Sequence, residues 1–300
     1  MQKKVFNFFK YGNKVIIVSF CVILLGFVYT FMHHGEYKWG IDFSSGVSIN
    51  FVIDKAGIKD YEIKKLFFSV YKIFDVNEII SSDASKSHFS IIVKSDVTDY
   101  ALKKEIQSIL VDKLKAEFGV VVEILDSYFI DSSFSSLLRT KSILLVFLTF
   151  MLILVYVSLR FKLIYAISAI FATIHDILFV IAFLGVFRIE INSSIIVSIL
   201  TIIGYSLNDT IIIFDRVREN SKNIPDTSFF NVLSMSIGQT LSRTILTSIT
   251  TFVAVFSIYV FTEGPIKDFA LIFMVGVVVG TYSSIFIAST VLLNFYKKIK

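Results

Sequence analysis

Six long apolar stretches constrain what this chain can fold into more than any other feature of its sequence. A helix needs about 20 apolar residues to cross a hydrocarbon core about 30 Å thick. Stretches of this kind run over residues 15–32, 142–159, 163–187, 191–214, 244–262 and 269–295. Since 55% of the 300 residues are hydrophobic, an ordinary soluble protein is excluded. The sequence predicts an α-helical membrane protein with six transmembrane helices.

Lysine and arginine residues predict how these helices are oriented. They are concentrated in the N-terminal tail, at 160–162, between 215 and 243, and in the C-terminal tail. The short loops on the opposite side hold only Arg188 and Lys267. Because basic residues favour the cytoplasmic side, we expect both termini to be cytoplasmic. The net charge of +5 follows from this topology, and it gives no reason to expect a nucleic-acid partner.

The first two apolar stretches are separated by more than 100 residues that are predicted to fold as an outer domain. Extended segments are predicted at 47–53, 77–81, 89–93 and 120–125, and amphipathic helices at 60–74 and 99–118. The order βαββαβ is that of a ferredoxin-like α+β unit. We therefore divide the chain into a tail and first transmembrane helix (1–34), a periplasmic domain (35–139), and transmembrane helices 2–6 with a cytoplasmic tail (140–300).

An aspartate within a predicted transmembrane helix is the strongest functional signal. Asp209 lies between Asn208 and Thr210, near the end of the fourth apolar stretch. An aspartate at the centre of a spanning helix costs roughly 2.5–3.5 kcal/mol, so one that persists usually faces a partner or a water path. We therefore expect this residue to handle ions or protons.

Two other predicted helices carry polar residues that fit the same aqueous route. The third has His175 and Asp176 close to its middle, and the fifth begins near Arg243 and continues with hydroxyl residues that include Thr247. Two simpler interpretations remain open. Hydroxyl side chains are common where membrane helices pack together, and Arg243 also suits an anchor that extends to the cytoplasmic surface.

Glycine and other small residues predict close packing and a junction. Gly276, Gly280 and Ser284 recur every fourth residue in the last helix, a spacing that lets another backbone approach. Gly204 precedes Asn208 by one turn and predicts a similar approach beside Asp209. After the first helix, Gly40, Asp42 and Gly46 suit a tight turn or hinge that couples the outer domain to the membrane helices.

The sequence has no motif for a cofactor or a metal ion. Cys21 is the single cysteine, so no disulfide forms within the chain, and the histidines lack metal-ligand spacing. The phosphate-binding loop of ATP-driven proteins is also absent. We expect no cofactor, no metal and no enzymatic activity.

Four motifs give a resemblance that covers nearly the whole chain. Residues 204–210 read Gly-Tyr-Ser-Leu-Asn-Asp-Thr, 215–220 read Asp-Arg-Val-Arg-Glu-Asn, and 239–244 read Gln-Thr-Leu-Ser-Arg-Thr. Residues 40–46 read Gly-Ile-Asp-Phe-Ser-Ser-Gly, with Ser45 where the family usually has glycine. This combination resembles the SecF branch of the SecD/SecF family, which is part of the bacterial Sec protein-export machinery and of the resistance-nodulation-division superfamily.

The resemblance implies a function, partners and site residues. Such a subunit resides in the inner membrane, pairs with SecD, and uses the proton-motive force to promote export and release of preproteins beyond the SecYEG channel; YajC is a further implied partner. A lone six-helix half is expected to leave Asp209 and the small-residue helix exposed to lipid. The proton relay that the family implies consists of Asp209, Arg243 and Asp176, supported by Asn208, Thr210, His175 and Thr247.

Two alternatives from other functional classes stay open. Asp176 and Asp209 lie on adjacent antiparallel helices, as the paired acids of an intramembrane aspartyl protease do, although their sequence contexts differ from those of such enzymes. The same helix layout also fits half of a small-molecule or lipid exporter of the same superfamily.

Overall fold

The computed structural model describes residues 12–55, 57–68, 74–79, 86–94, 100–262 and 264–299. Six of its helices are long and apolar enough to cross a membrane, and a separate region forms a four-stranded sheet. The predicted fold class is therefore confirmed. The chain forms two compact units, one of Met1–Lys38 with Leu144–Lys300 and one of Trp39–Ile143.

The second unit has the predicted ferredoxin-like topology. Its antiparallel strands lie in the order β2-β3-β1-β4. The elements are β1 (Gly46–Ile53), α2 (Asp60–Phe67), β2 (Phe74–Ile79), β3 (Ser87–Lys94), α3 (Tyr100–Phe118) and β4 (Val122–Ile130). Residues 80–81 of the predicted strand 77–81 and residues 69–73 of the predicted helix 60–74 lie outside the described residues, whereas Phe74, predicted to be helical, is the first residue of β2. The last strand extends past the predicted end at 125, because residues as far as Ile130 pair with β1.

The core of this unit follows from the periodicity of β1 and α3. Alternate residues of β1, such as Ile49 and Phe51, are fully buried, as expected for the inner face of a strand. Ile106, Leu110 and Leu114 of α3 recur every four residues and are also fully buried. The sheet and the helix therefore share one apolar core.

The glycine motif after the first helix is an ordered part of the second unit. Residues Ile41–Phe43 form a 3-10 turn, in which the Phe43 N–H bonds to the Gly40 carbonyl oxygen at 3.0 Å. Gly46 has a φ of 154° and lies against the backbone of Val93, where a side chain would clash. The Arg139 guanidinium donates to the Phe43 carbonyl oxygen. The predicted hinge role of this motif stays a prediction.

Five of the six transmembrane helices extend beyond the apolar stretches that predicted them, whereas the third ends one residue before its predicted end. The six helices are α1 (Gly12–His34), α4 (Ser132–Arg160), α5 (Leu163–Val186), α6 (Ser193–Asn223), α7 (Phe229–Phe261) and α8 (Pro265–Tyr282), which continues through a π-helical segment (Ser283–Ala288) into α9 (Ser289–Ile299). Hydropathy detects only the apolar part of a helix, whereas capping side chains mark its ends. Asn192 accepts a hydrogen bond from the Ile195 N–H at 3.0 Å and begins α6 in this way.

Small residues of α8 lie against α6. A side chain at Gly276 would clash with Ile202, and a Cβ at Gly280 would lie 2.9 Å from the Ser206 Cβ. The expectation for Gly204 was wrong, because no described atom lies within 4 Å of where its Cβ would be. The close helix approach therefore comes from the glycines of α8, and Gly204 points away from it.

Polar contacts tie together one end of α1, α5, α6 and α8. The Ile191 N–H donates to the Lys38 carbonyl oxygen at 2.8 Å, and the Lys38 ammonium pairs with Glu190 at 2.8 Å. Asn192 also donates to Asp268 at 3.2 Å. The segment that leaves α1 is thereby fixed to the turn between α5 and α6.

Candidate functional site

Helix α6 holds Asp209 on its buried face. Ser206, Asp209, Thr210 and Ile213 are each about 1% exposed, and their three- and four-residue spacing places them on one side of the helix. The Asp209 Oδ2 atom has no hydrogen-bond partner among the described residues. Buried polar atoms are nearly always hydrogen-bonded, so an unpaired carboxyl oxygen marks a position for a proton, a water molecule or a moving partner.

Arg243 lies on α7, and its side chain is exposed. Within the part of the chain that the structure describes, no ion pair joins this side chain to Asp209. A guanidinium favours the ionised form of a carboxyl group, whereas burial favours the protonated form.

A second polar cluster surrounds Asp176. Its Oδ1 accepts from His175 Nδ1 at 3.0 Å, and its Oδ2 accepts from Ser206 at 2.5 Å and from Ser283 at 2.8 Å. With Nδ1 donating, His175 Nε2 accepts from the Ser19 hydroxyl at 2.6 Å. All five side chains lie among the buried polar residues. This hydrogen-bond cluster, which we call the Asp176 hub, joins α1, α5, α6 and the π-helical segment.

Ser284 extends these contacts toward Asp209. Its hydroxyl bonds to the Thr210 hydroxyl at 2.8 Å and donates to the Ser206 carbonyl oxygen at 3.1 Å. Thr210 is the residue next to Asp209. The π-helical segment therefore contacts the Asp176 hub through Ser283 and the neighbour of Asp209 through Ser284.

The structure brings together some of the predicted site residues and not others. His175, Asp176, Thr210 and Ser284 meet around the Asp176 hub. Asn208 is exposed on the opposite side of α6, while the Thr247 hydroxyl donates to the Arg243 carbonyl oxygen of its own helix at 2.7 Å. The predicted relay remains a prediction for all of these residues.

Sequence reasoning missed three hydroxyl residues of the Asp176 hub. Ser206 lies one turn before Asp209, a spacing that could have identified it. Ser283 adjoins Ser284, but regular α-helical spacing places consecutive residues about 100° apart and so hid its role. Ser19 is an isolated serine in an apolar helix and gave no signal.

The chemistry available at this site is proton binding and hydrogen bonding. In the described ranges, no group of three or more histidine, cysteine, aspartate or glutamate side chains is placed to hold a metal ion. The site lies among the helices of the unit formed by Met1–Lys38 and Leu144–Lys300.

Comparison with known proteins decides the family. A family model described as "Protein export membrane protein SecD/SecF, C-terminal" matches residues 110–298. The chain belongs to the SecD/SecF family. It is 67% identical over 299 residues to the SecD/SecF family member named "Protein translocase subunit SecF" of Borreliella burgdorferi, with 100% of each chain covered. The subunit of the same name from Helicobacter pylori strain J99 is 34% identical, with 97% of this chain and 88% of that one covered.

A solved structure of the SecD/SecF family shares the fold. The crystal structure of SecDF, described as a translocon-associated membrane protein from Thermus thermophilus, is 26% identical with a TM-score of 0.82. The match covers 99% of this chain and 40% of that chain. This SecD/SecF chain thus spans less than half the length of that SecDF chain. It is a membrane-embedded component of protein transport in the Sec pathway.

Proposed function

We propose that this subunit, acting with SecD, uses the proton-motive force to promote export and release of proteins on the outer side of the membrane. The observation that carries the proposal is Asp209, a buried carboxyl group inside a transmembrane helix, one oxygen of which has no hydrogen-bond partner among the described atoms. Ionisable residues at such positions commonly mark proton pathways.

The proposed cycle alternates the protonation of Asp209. Movement of the Arg243 guanidinium toward the carboxylate favours release of the proton, and movement away favours its uptake, because burial then dominates. One charge that crosses about 100 mV supplies roughly 2.3 kcal/mol. Driving a two-state equilibrium from 1:99 to 99:1 takes about 5.5 kcal/mol. A full conformational cycle therefore needs more than one proton or two nearly balanced states.

The proposal includes the location and the partners of the chain. It resides in the inner membrane with both termini in the cytoplasm, and it works beside SecD at the SecYEG channel, with YajC and exported preproteins as further partners. The match covers 40% of the SecDF chain, which supports the proposal that SecD corresponds to the remaining part of that chain.

The two alternative functions receive less support. An aspartyl protease needs two carboxyl groups that share a proton, yet Asp176 bonds to His175 and serine side chains, and no hydrogen bond between described atoms joins it to Asp209. The exporter alternative lacks any specific observation, whereas the match to protein-export subunits covers the whole chain.

The test of the proton-carrier role is Asp209→Asn, which keeps the volume of the side chain and removes its titration. We expect the variant to assemble with SecD and to lose the part of protein export that an imposed proton gradient stimulates. Export into inverted membrane vesicles, with and without the gradient, measures this part. Thr201→Ala is the matched control, because Thr201 is a half-buried residue of α6 whose hydroxyl bonds, among the described atoms, only to the Val197 carbonyl oxygen. Equal gradient stimulation in Asp209→Asn and the parent would reject the role.

A further inference from the structure

The π-helical segment after α8 is held in place by side chains of other helices. A π-helix has i to i+5 hydrogen bonds and is rare, and it occurs mostly as a short insertion at functional sites. Here Ser283–Ala288 adopts it. The wider turn allows two consecutive hydroxyls to bond to different helices, Ser283 to Asp176 of α5 and Ser284 to Thr210 of α6.

Asp176 is the shared acceptor of this arrangement. Its Oδ2 accepts from both Ser206 and Ser283, and its Oδ1 is occupied by His175. The carboxylate thus ties α6 to the π-helical segment directly, while Gly280 lets the two backbones approach one turn earlier. Asp209 differs, because one of its oxygens has no partner among the described atoms.

We infer that Asp176 is a positioning residue, which acts as a hydrogen-bond acceptor that keeps Ser283–Ala288 π-helical and so sets the rotation of α9 and the place of Ser284 beside Thr210. This role requires an oxygen at residue 176 that accepts hydrogen bonds from both Ser206 and Ser283. It does not require the Asp176 side chain to gain or lose a proton. Its effect on Asp209 rests on the proposed function, whereas the rotation of α9 does not.

The inference has a geometric consequence that can be measured. If the π-helical segment became α-helical, every residue after it would rotate by about 100° and shift by about 1.5 Å along the axis. Asn294 of α9 now donates to Asn13 of α1 at 2.7 Å, so this pair reports the rotation of α9. Asp268 lies in α8 before the segment and accepts from Asn192, the N-cap residue of α6, at 3.2 Å, so this pair reports a contact that should not change.

The experiment uses the full chain with its SecD partner in mild detergent, with Cys21→Ala to remove the native thiol. One background carries Asn13→Cys and Asn294→Cys, and the other carries Asn192→Cys and Asp268→Cys; a short bifunctional thiol reagent links each pair. We expect Ser283→Ala and Asp176→Ala to lose the first link and to keep the second. We expect Asp176→Asn to keep both links, because an amide oxygen accepts from both serines while the amide N–H bonds to His175.

Thr173→Ala is the matched control, since Thr173 is buried in α5 and the one described partner of its hydroxyl is the Ala169 carbonyl oxygen at 3.0 Å. It should keep both links. The inference is overturned if the first link persists in Ser283→Ala and Asp176→Ala, if both links disappear together, if Thr173→Ala behaves like Ser283→Ala, or if Asp176→Asn loses the first link as Asp176→Ala does.

A second measurement separates this inference from the proposed function. Cross-linking needs no proton gradient, so its outcome is independent of whether Asp209 carries protons. In vesicles, we expect Ser283→Ala to reduce gradient-stimulated export and Asp176→Asn to retain it. Loss of gradient stimulation in Asp176→Asn with both links intact would overturn the positioning role and assign titration to Asp176.

Discussion

At the scale of single residues, two buried carboxyl groups in neighbouring helices have opposite environments. Asp176 accepts three hydrogen bonds from described side chains, whereas Asp209 Oδ2 accepts none. An unpaired buried acceptor costs about 1–3 kcal/mol relative to a paired one. Of the two acids, only Asp209 has such an unpaired oxygen among the described atoms, which is why we propose the proton-carrier role for it.

The arginine on α7 allows a test at the same scale. Arg243→Lys keeps the positive charge but replaces the planar fork of a guanidinium with a compact ammonium. We expect gradient-stimulated export in vesicles to fall, while the complex with SecD still assembles. Arg218→Lys, at an exposed position of α6, is the control. A normal gradient response in Arg243→Lys would show that this residue serves only as a cytoplasmic anchor.

At the scale of secondary-structure elements, the contact between α6 and α8 organises the membrane unit. The last membrane span begins with α8, and 67% of the residues in its most apolar part are buried within the chain. The corresponding share for α4 is 6%. The glycines of α8 permit this contact, since Gly276 leaves room for the Ile202 side chain. Helix packing in membranes depends on such close approach because burial from water contributes little there.

Two glycines with different surroundings test this packing. Gly276→Ala should destabilise the protein by about 1–3 kcal/mol, the usual cost of overpacking a tight contact. Gly204→Ala should be neutral or stabilising, by up to about 1 kcal/mol, because alanine favours a helix and no described atom obstructs its Cβ. Thermal unfolding in detergent compares the two variants. Equal melting temperatures would contradict the close α6–α8 contact.

At the scale of the whole molecule, the sequence predicts helix number and sheet order better than the polar contacts. Apolar length and alternation depend on local residue spacing, so six helices and the βαββαβ order were correct. The contacts of the Asp176 hub depend on residues 19, 206 and 283, which meet only after packing. The irregular turn at Ser283 also departs from the spacing on which sequence reasoning relies.

One reason given for a partner was wrong, although the partner itself is still proposed. Asp209 is only 1% exposed within this chain, and Gly276 and Gly280 pack on α6, so no second half is needed to shield them from lipid. The proposal of a SecD partner now rests on the SecDF likeness. We expect purification in mild detergent to yield a stable complex with SecD, identified by mass spectrometry. A fully active single subunit would contradict it.

The bonds at Lys38 determine how a mechanical load would enter the membrane helices. A force on the chain after α1 reaches Lys38. The carbonyl oxygen of Lys38 accepts a hydrogen bond from the Ile191 N–H, and its ammonium forms an ion pair with Glu190. Asn192 passes part of that load to Asp268 of α8. Hydrogen bonds and ion pairs that act in parallel share a load and must break together. A single helix that is pulled from its end instead loses its hydrogen bonds one turn at a time. A force applied at Lys38 would therefore be distributed over α5, α6 and α8 as well as α1.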